Sequence, residues 1–168
     1  MTAERGAGTT PGRADRELRA EVTVAAPPDH VWRALTDFRR MPEWSPELVR
    51  MVPLRRGGLR VGQWYLGLNR RGPVVWPTRN VVTELSAGRR VAWDTTSSGA
   101  RWVYDLVEEA GGTRLTLTRP VPGRLTLGSK LFATALLGGA DGHADELEDG
   151  MRLTLERFKQ AVEAGCAG

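Results

Sequence analysis

The sequence predicts an α+β fold, an antiparallel sheet of about seven strands covered on one face by a long C-terminal helix. Three observations predict it. Short segments with alternating apolar residues recur between Leu18 and Val121, separated by turns rich in glycine. One helix-like segment interrupts them early, straight after the first strand. Near the C-terminus the apolar spacing changes to three and four residues, the repeat of one helix face.

The elements follow in order. Leu18, Ala20, Val22 and Val24 share one face of a half-buried strand, with Arg19, Glu21 and Thr23 on the other. Pro27-Pro28-Asp29 opens a helix, because a first-turn amide has no partner to lose and an acid there suits the helix dipole. Val31, Trp32, Leu35 and Phe38 form its stripe. Arg39 to Glu47, with Pro42 and Pro46, reads as a short broken helix or loop. Leu48 to Leu54 is the second strand, and Arg55-Arg56-Gly57-Gly58 turns the chain. Gln63 to Arg70 alternates again, then Arg71-Gly72-Pro73 turns into Val74 to Leu85. Pro77 requires an edge position or a bulge there, since proline cannot donate to the ladder. After Ser86-Ala87-Gly88, Val91, Trp93 and Thr95 share a face, as do Trp102, Tyr104 and Leu106. Gly111-Gly112 leads into Thr113 to Val121, with Leu115 and Leu117 inward. Leu125 to Gly139 is apolar and reads equally as a helix or an ordered lid. Ala144, Leu147, Met151, Leu155, Phe158 and Val162 mark the final amphipathic helix, with acids Asp141, Asp145, Glu146, Glu148 and Asp149 at its start.

Composition narrows the function classes. A chain of 168 residues suits one domain, expected over 17–165, with a polar, glycine-containing tail at 1–16 expected to be disordered. No apolar run reaches the ~20 residues of a membrane span, and the N-terminus has no signal-peptide core, so a cytoplasmic protein is expected. Cys166 is the only cysteine, which excludes an internal disulfide. His30 and His143 are the only histidines, and neither has a cysteine nearby; no metal site and no cofactor are expected. The net charge of +4 is carried almost wholly by arginine, including the pairs Arg39-Arg40, Arg55-Arg56, Arg70-Arg71 and Arg89-Arg90. These fall at turns and strand ends, where charges solvate loops, so no nucleic-acid partner is expected. No nucleophile elbow, phosphate loop or dinucleotide fingerprint is present.

The six tryptophans carry the functional expectation. Trp64, Trp76, Trp93 and Trp102 lie on strands and Trp44 follows the first helix. A curved sheet lined with indoles points to a cavity for an apolar small molecule, against the plainer reading of the rings as core filler.

The stretch Val22-Thr23-Val24-Ala25-Ala26-Pro27-Pro28-Asp29-His30-Val31-Trp32, followed by Leu35-Thr36-Asp37 and Met41-Pro42-Glu43-Trp44, resembles the START-like helix-grip superfamily (SRPBCC). That superfamily includes START domains, the major birch pollen allergen and the bacterial polyketide cyclase/dehydrase group. Trp102-Val103-Tyr104-Asp105-Leu106, then Gly111-Gly112-Thr113-Arg114-Leu115, carries a second match, and Leu153, Leu155, Phe158 and Lys159 a third. The resemblance covers 18–164. It implies a curved seven-stranded antiparallel sheet gripping the C-terminal helix around a hydrophobic tunnel, with two short helices after the first strand. It does not imply a reaction, because one fold hosts many functions.

Three readings follow. The first is a carrier or binding protein for an aromatic polyketide, isoprenoid or lipid-like molecule. Its wall would comprise Trp44, Trp64, Leu66, Leu68, Arg79, Val81, Trp93, Trp102, Tyr104, Leu106, Leu117, Met151, Leu155 and Phe158. The second is a cyclase/dehydratase-like enzyme in which Arg79 stabilises an enolate and Tyr104 donates a proton. Arg79 points inward if Leu85, Thr83 and Val81 do; a bulge at Pro77 would instead turn Trp76, Asn80 and Val82 inward. Asp94 and Asp105 read as solvent-facing, and Asp37 and Glu43 as caps and surface charges. The third reading is a protein-interaction module with an arginine-rich rim. A monomer and a homodimer are equally compatible with the sequence.

Overall fold

Strict alternation makes β1 (Leu18–Val24) a strand with one wholly buried face. The computed structural model describes residues 17–120 and 140–166, with side chains of the second segment described from Asp145. The expectations for 1–16, for Val121, for Leu125 to Gly139 and for the His143 side chain fall outside the described residues.

After β1 the chain turns through Ala25-Ala26 into α1 (Pro28–Thr36), whose first residue is proline and whose buried stripe is Val31, Ala34 and Leu35. The segment read as a broken helix contains a 3-10 turn (Met41–Glu43) that buries Met41 and leads to Trp44. Six strands follow as a meander: β2 (Leu48–Pro53), β3 (Trp64–Arg71), β4 (Val74–Ser86), β5 (Arg90–Thr95), β6 (Ala100–Glu109) and β7 (Gly112–Arg119). Gly72 and Gly88, at φ 57° and 70°, supply the left-handed backbone that the turns before β4 and β5 require. The chain ends in α2 (Ala140–Cys166).

Every strand pairing is antiparallel, and the sheet order is β1-β7-β6-β5-β4-β3-β2. This is the expected seven-stranded sheet held against a C-terminal helix, with α1 and the 3-10 turn as the two short helices. The first strand closes against the last, so β1 and β2 form the two edges.

α2 lies closest to β1, with lesser contact to β7, α1 and the 3-10 turn. Its buried face is Met151, Leu155, Phe158 and Val162, each at most 2 % exposed. Its polar side chains reach the outer backbone edge of β1. Glu163 Oε1 accepts from Ala25 N at 2.7 Å, Lys159 Nζ donates to the Thr23 carbonyl at 2.9 Å, and Glu148 Oε1 accepts from Arg19 N at 3.5 Å. Helix side chains thus satisfy edge groups that a neighbouring strand would otherwise take.

Where β1 leaves the sheet, Gly112 sits directly against it. A Cβ there would overlap the Val24 carbonyl oxygen, so the corner closes only around glycine. Thr113, next along β7, fastens the same corner by donating its hydroxyl to the Ala26 carbonyl at 2.8 Å.

Candidate ligand-binding site

The inner face of the sheet is defined by register. Val24, Val22, Ala20 and Leu18 lie opposite Thr113, Leu115, Leu117 and Arg119. Leu115 and Leu117 in turn lie opposite Leu106 and Tyr104 on β6, and Tyr104 and Trp102 lie opposite Val91 and Trp93 on β5. Trp93, Tyr104, Leu106, Leu117, Met151, Leu155 and Phe158 therefore sit in one buried cluster. Trp93 stacks on Tyr104 with centroids 5.3 Å apart, and Phe38 packs edge-on to Trp93 at 5.1 Å and against Tyr65 at 4.9 Å. Trp44 is 2 % exposed and meets Phe158 edge-to-face at 4.9 Å. On the side toward α1 these rings fill the space between the layers.

The character of the inner face changes across the other half of the strands. Trp102 Nε1 donates to Thr95 Oγ1 at 3.2 Å, and Thr95 Oγ1 donates to Asn80 Oδ1 at 2.8 Å. Asn80 Nδ2 donates to Thr78 Oγ1 at 3.3 Å, and Asn69 Nδ2 donates to the same oxygen at 3.1 Å. A ladder of amides and hydroxyls thus crosses β6, β5, β4 and β3, with Asn80 and Thr95 buried. Gly67 makes room for it, since a Cβ there would stand 2.6 Å from Thr78 Oγ1. Trp76 and Trp102, on this half of the inner face, keep part of their indole surface accessible.

Arg119 extends the ladder onto β7. It follows Leu115 and Leu117 in the inward alternation, and its guanidinium lies over the Trp102 ring, 5.4 Å from the centroid. Its Nε is buried without a hydrogen-bond partner, and among the described residues no carboxylate pairs with it. Burial pulls its pKa below the ordinary arginine range. The sequence reading omitted Arg119, although the spacing Leu115, Leu117, Arg119 carried the signal. Burial likewise pushes the Tyr104 phenol far above its usual value, so it stays protonated; its hydroxyl makes no hydrogen bond to another described residue.

Strand parity corrects five expected wall residues. Arg79 and Val81 lie on the outer face of β4, opposite Leu66 and Trp64 of β3, and Leu68 lies opposite Pro77. Leu66 and Leu68 are 40 % and 39 % exposed, and Arg79 is exposed. The inward residues of β3 and β4 include Tyr65, Gly67, Asn69, Trp76, Thr78, Asn80 and Val82. The cause is a bulge between Val82 and Glu84, where the register against β5 shifts by one residue. Val82 and Leu85 therefore both face inward, opposite Trp93 and Val91, and reading back from Leu85 in steps of two inverts the rest of the strand. Pro77 needs no bulge, because β4 is paired to β5 only from Asn80 onward.

Asp94 and Asp105 face outward, where they pair with Arg101 at 2.7 Å and Arg90 at 2.7 Å. His30 and Cys166 meet at the surface, Nε2 to Sγ 3.6 Å. Among the described residues no cluster of three His, Cys, Asp or Glu could hold a metal ion, and no helix is long and apolar enough to cross a membrane. A surface cleft of about 670 Å³ opens between the 3-10 turn, the β3–β4 turn and α2, lined in part by Leu48, Arg70, Arg71 and Arg157; Arg71 pairs there with Glu47.

A family model described as polyketide cyclase/dehydrase and lipid transport matches residues 15–163. The chain belongs to this family. No curated protein matches it. Among solved structures it is similar to a Nitrosomonas europaea protein at 16 % identity and a TM-score of 0.68, covering 92 % of this chain and 99 % of that one. It is also similar to a Polyketide_cyc-like protein of Corynebacterium glutamicum at 22 % identity and a TM-score of 0.60, covering 89 % and 93 %. An AHSA1-like protein of Aeromonas hydrophila matches at 18 % identity and a TM-score of 0.65, covering 91 % and 96 %. At these identities the neighbours establish the helix-grip fold; membership of the family points to hydrophobic ligand binding.

Proposed function

We propose that the chain binds a hydrophobic small molecule of aromatic polyketide, isoprenoid or lipid-like class on the inner face of its sheet, as a carrier or binding protein. The observation that carries this reading is the division of that face. A sheet face serving only as core is mostly apolar and closed to solvent. Here the half beside α1 is closed by rings, whereas the half bearing Trp76 and Trp102 keeps accessible indole and holds Asn69, Thr78, Asn80 and Thr95. An apolar wall with a few convergent polar groups is the usual make-up of a small-molecule site. Trp93, Tyr104, Leu106 and Leu117 form the floor in this reading, backed by Met151, Leu155, Phe158 and Trp44.

The test is native mass spectrometry of protein purified from its own host, followed by titration of recovered compounds against tryptophan fluorescence. A co-purifying apolar compound that quenches the indoles is the expected result. No bound mass, and no quenching across polyketide, quinone and lipid panels, would refute the binding reading and favour a protein-interaction module.

A second reading is favoured by Tyr104 alone. A buried phenol that keeps its proton and bonds to no described side chain is available to donate a hydrogen bond to a substrate carbonyl in a cyclisation or dehydration, while its raised pKa works against full proton transfer. Arg79, on the outer face, has no part in it. Tyr104→Phe would abolish turnover of a poly-β-keto substrate in an enzyme and weaken a carrier's affinity by no more than about tenfold, the loss of one neutral hydrogen bond.

A further inference from the structure

We infer that Arg119 is the anion-binding group of the inner-face site, and that the ligand is an apolar molecule carrying a carboxylate or an equivalent oxyanion. This rests on the inner-face binding proposed above and narrows its ligand class.

The paired arginines of the sheet show what Arg119 lacks. Arg90 and Arg101 face outward onto Asp105 and Asp94, Arg71 pairs with Glu47, and Arg114, on the same strand as Arg119, pairs with Glu109 at 2.9 Å. Of these only Arg71, at the exposed end of β3, shares the inward parity, and it is paired; Arg119 faces inward with no acid beside it among the described residues, where desolvation is costly and a charge requires a partner. The Trp102 ring offsets part of that cost through its π face but offers the guanidinium no hydrogen-bond acceptor. The buried Nε remains without one. The neighbouring ladder of Asn69, Thr78, Asn80, Thr95 and Trp102 contains no carboxylate, so nothing in it repels an anion. A guanidinium fork matches a planar oxyanion in two hydrogen bonds, and beside it the partly accessible Trp102 indole offers apolar surface, backed by the buried rings of Trp93 and Tyr104. Chemically, the constellation is a receptor for an amphipathic acid with its charged group toward Leu18 and Arg119 and its apolar body along β6 and β5.

The experiment compares two probes of one shape, 2-naphthoate and 2-naphthalenemethanol, by calorimetry on the full chain. The parent is expected to bind the acid about tenfold or more tightly than the alcohol, the scale of one charge-assisted hydrogen bond. Arg119→Gln should bring that ratio close to one while alcohol affinity stays within about twofold. Arg119→Lys, which keeps the charge but not the fork, should retain part of the preference. Because the parent half-buries a guanidinium whose Nε lacks a partner among the described residues, Arg119→Gln should melt no lower than the parent. Equal affinity of the parent for acid and alcohol would overturn the anion site and leave apolar binding standing. Binding of neither probe would overturn both. A preference that survives in Arg119→Gln would place the anion on another cation. Unfolding of Arg119→Gln together with loss of the preference in Arg119→Lys would make the arginine a structural group.

Discussion

Replacing Gly67 by alanine puts the polar ladder to a direct energetic test. At an ordinary strand position with no close neighbour, Gly→Ala stabilises by about 0.4–1 kcal/mol, because the unfolded chain loses freedom. Gly67 is not such a position. A Cβ would lie 2.6 Å from Thr78 Oγ1, 3.2 Å from Asn80 Nδ2 and 3.3 Å from Leu48 Cδ1, where ordinary contact begins at 3.4 Å. Thr78 can relieve the overlap only by swinging its hydroxyl away, which forfeits the hydrogen bonds it accepts from Asn69 and Asn80. Two neutral hydrogen bonds at about 0.5–1.5 kcal/mol each amount to ~1–3 kcal/mol. Set against the entropic gain, the net loss is about 0.5–2 kcal/mol. Urea unfolding followed by tryptophan fluorescence measures it. The same substitution in a Thr78→Ala background meets no hydroxyl and should be neutral or stabilising, a coupling of about 1 kcal/mol or more between adjacent residues. If Gly67→Ala stabilises the parent, or costs the same in both backgrounds, the ladder is not organised around the space at Gly67.

Other outcomes follow from the same geometry. Gly112→Ala meets backbone rather than a side chain, so it should cost at least the ~3 kcal/mol at the upper end of overpacking and lower the thermal midpoint by several degrees. Arg79→Ala and Leu66→Lys, both on the outer face, should stay within about 0.5 kcal/mol of the parent and leave probe binding unchanged, whereas Leu117→Lys should prevent folding; loss of binding in Arg79→Ala would restore it to the site. Desolvation raises both Tyr65 and Tyr104 above the value near ~10 at which the unfolded chain ionises. The folded state then holds more protons above that pH, so this stability is complete below ~10 and is lost as pH climbs from there toward the folded values. Alkaline unfolding monitored by tyrosinate absorbance should show it, with a shallower decline in Tyr104→Phe; tyrosinate appearing near pH ~10 without unfolding would contradict the burial.

The fold was readable because most strands carry their apolar residues on the inner side. β1 alternates cleanly, β5, β6 and β7 keep an inward apolar set in Val91, Trp93, Tyr104, Leu106, Leu115 and Leu117, and the switch to helical spacing gives α2 its buried Met151, Leu155, Phe158 and Val162. The site was only half readable. In β3 the inward residues are Tyr65, Gly67 and Asn69, while Leu66 and Leu68 take the outer face half exposed. Alternation reports which side is apolar, and here the functional side is the less apolar one. In β4 a one-residue bulge at Thr83 reverses parity with no proline or glycine to mark it. Arg119 and the hydrogen bond that joins Asn80 to Thr95 escaped notice for a related reason, since polar residues gain meaning only from the neighbours that register brings to them.

The clamp of α2 on β1 also constrains how the molecule is made. β1 leaves the ribosome first, yet its partner β7 ends about a hundred residues later and the helix that caps its free edge comes last of all. During most of synthesis β1 is a short, alternating, unpaired strand, and such edges recruit one another between chains. Closing so long a loop is slow, because its entropy is lost before any contact rewards it. A nascent chain stalled before Lys159 and Glu163 emerge would carry the whole sheet with its first edge uncapped, the form most prone to assemble with copies of itself.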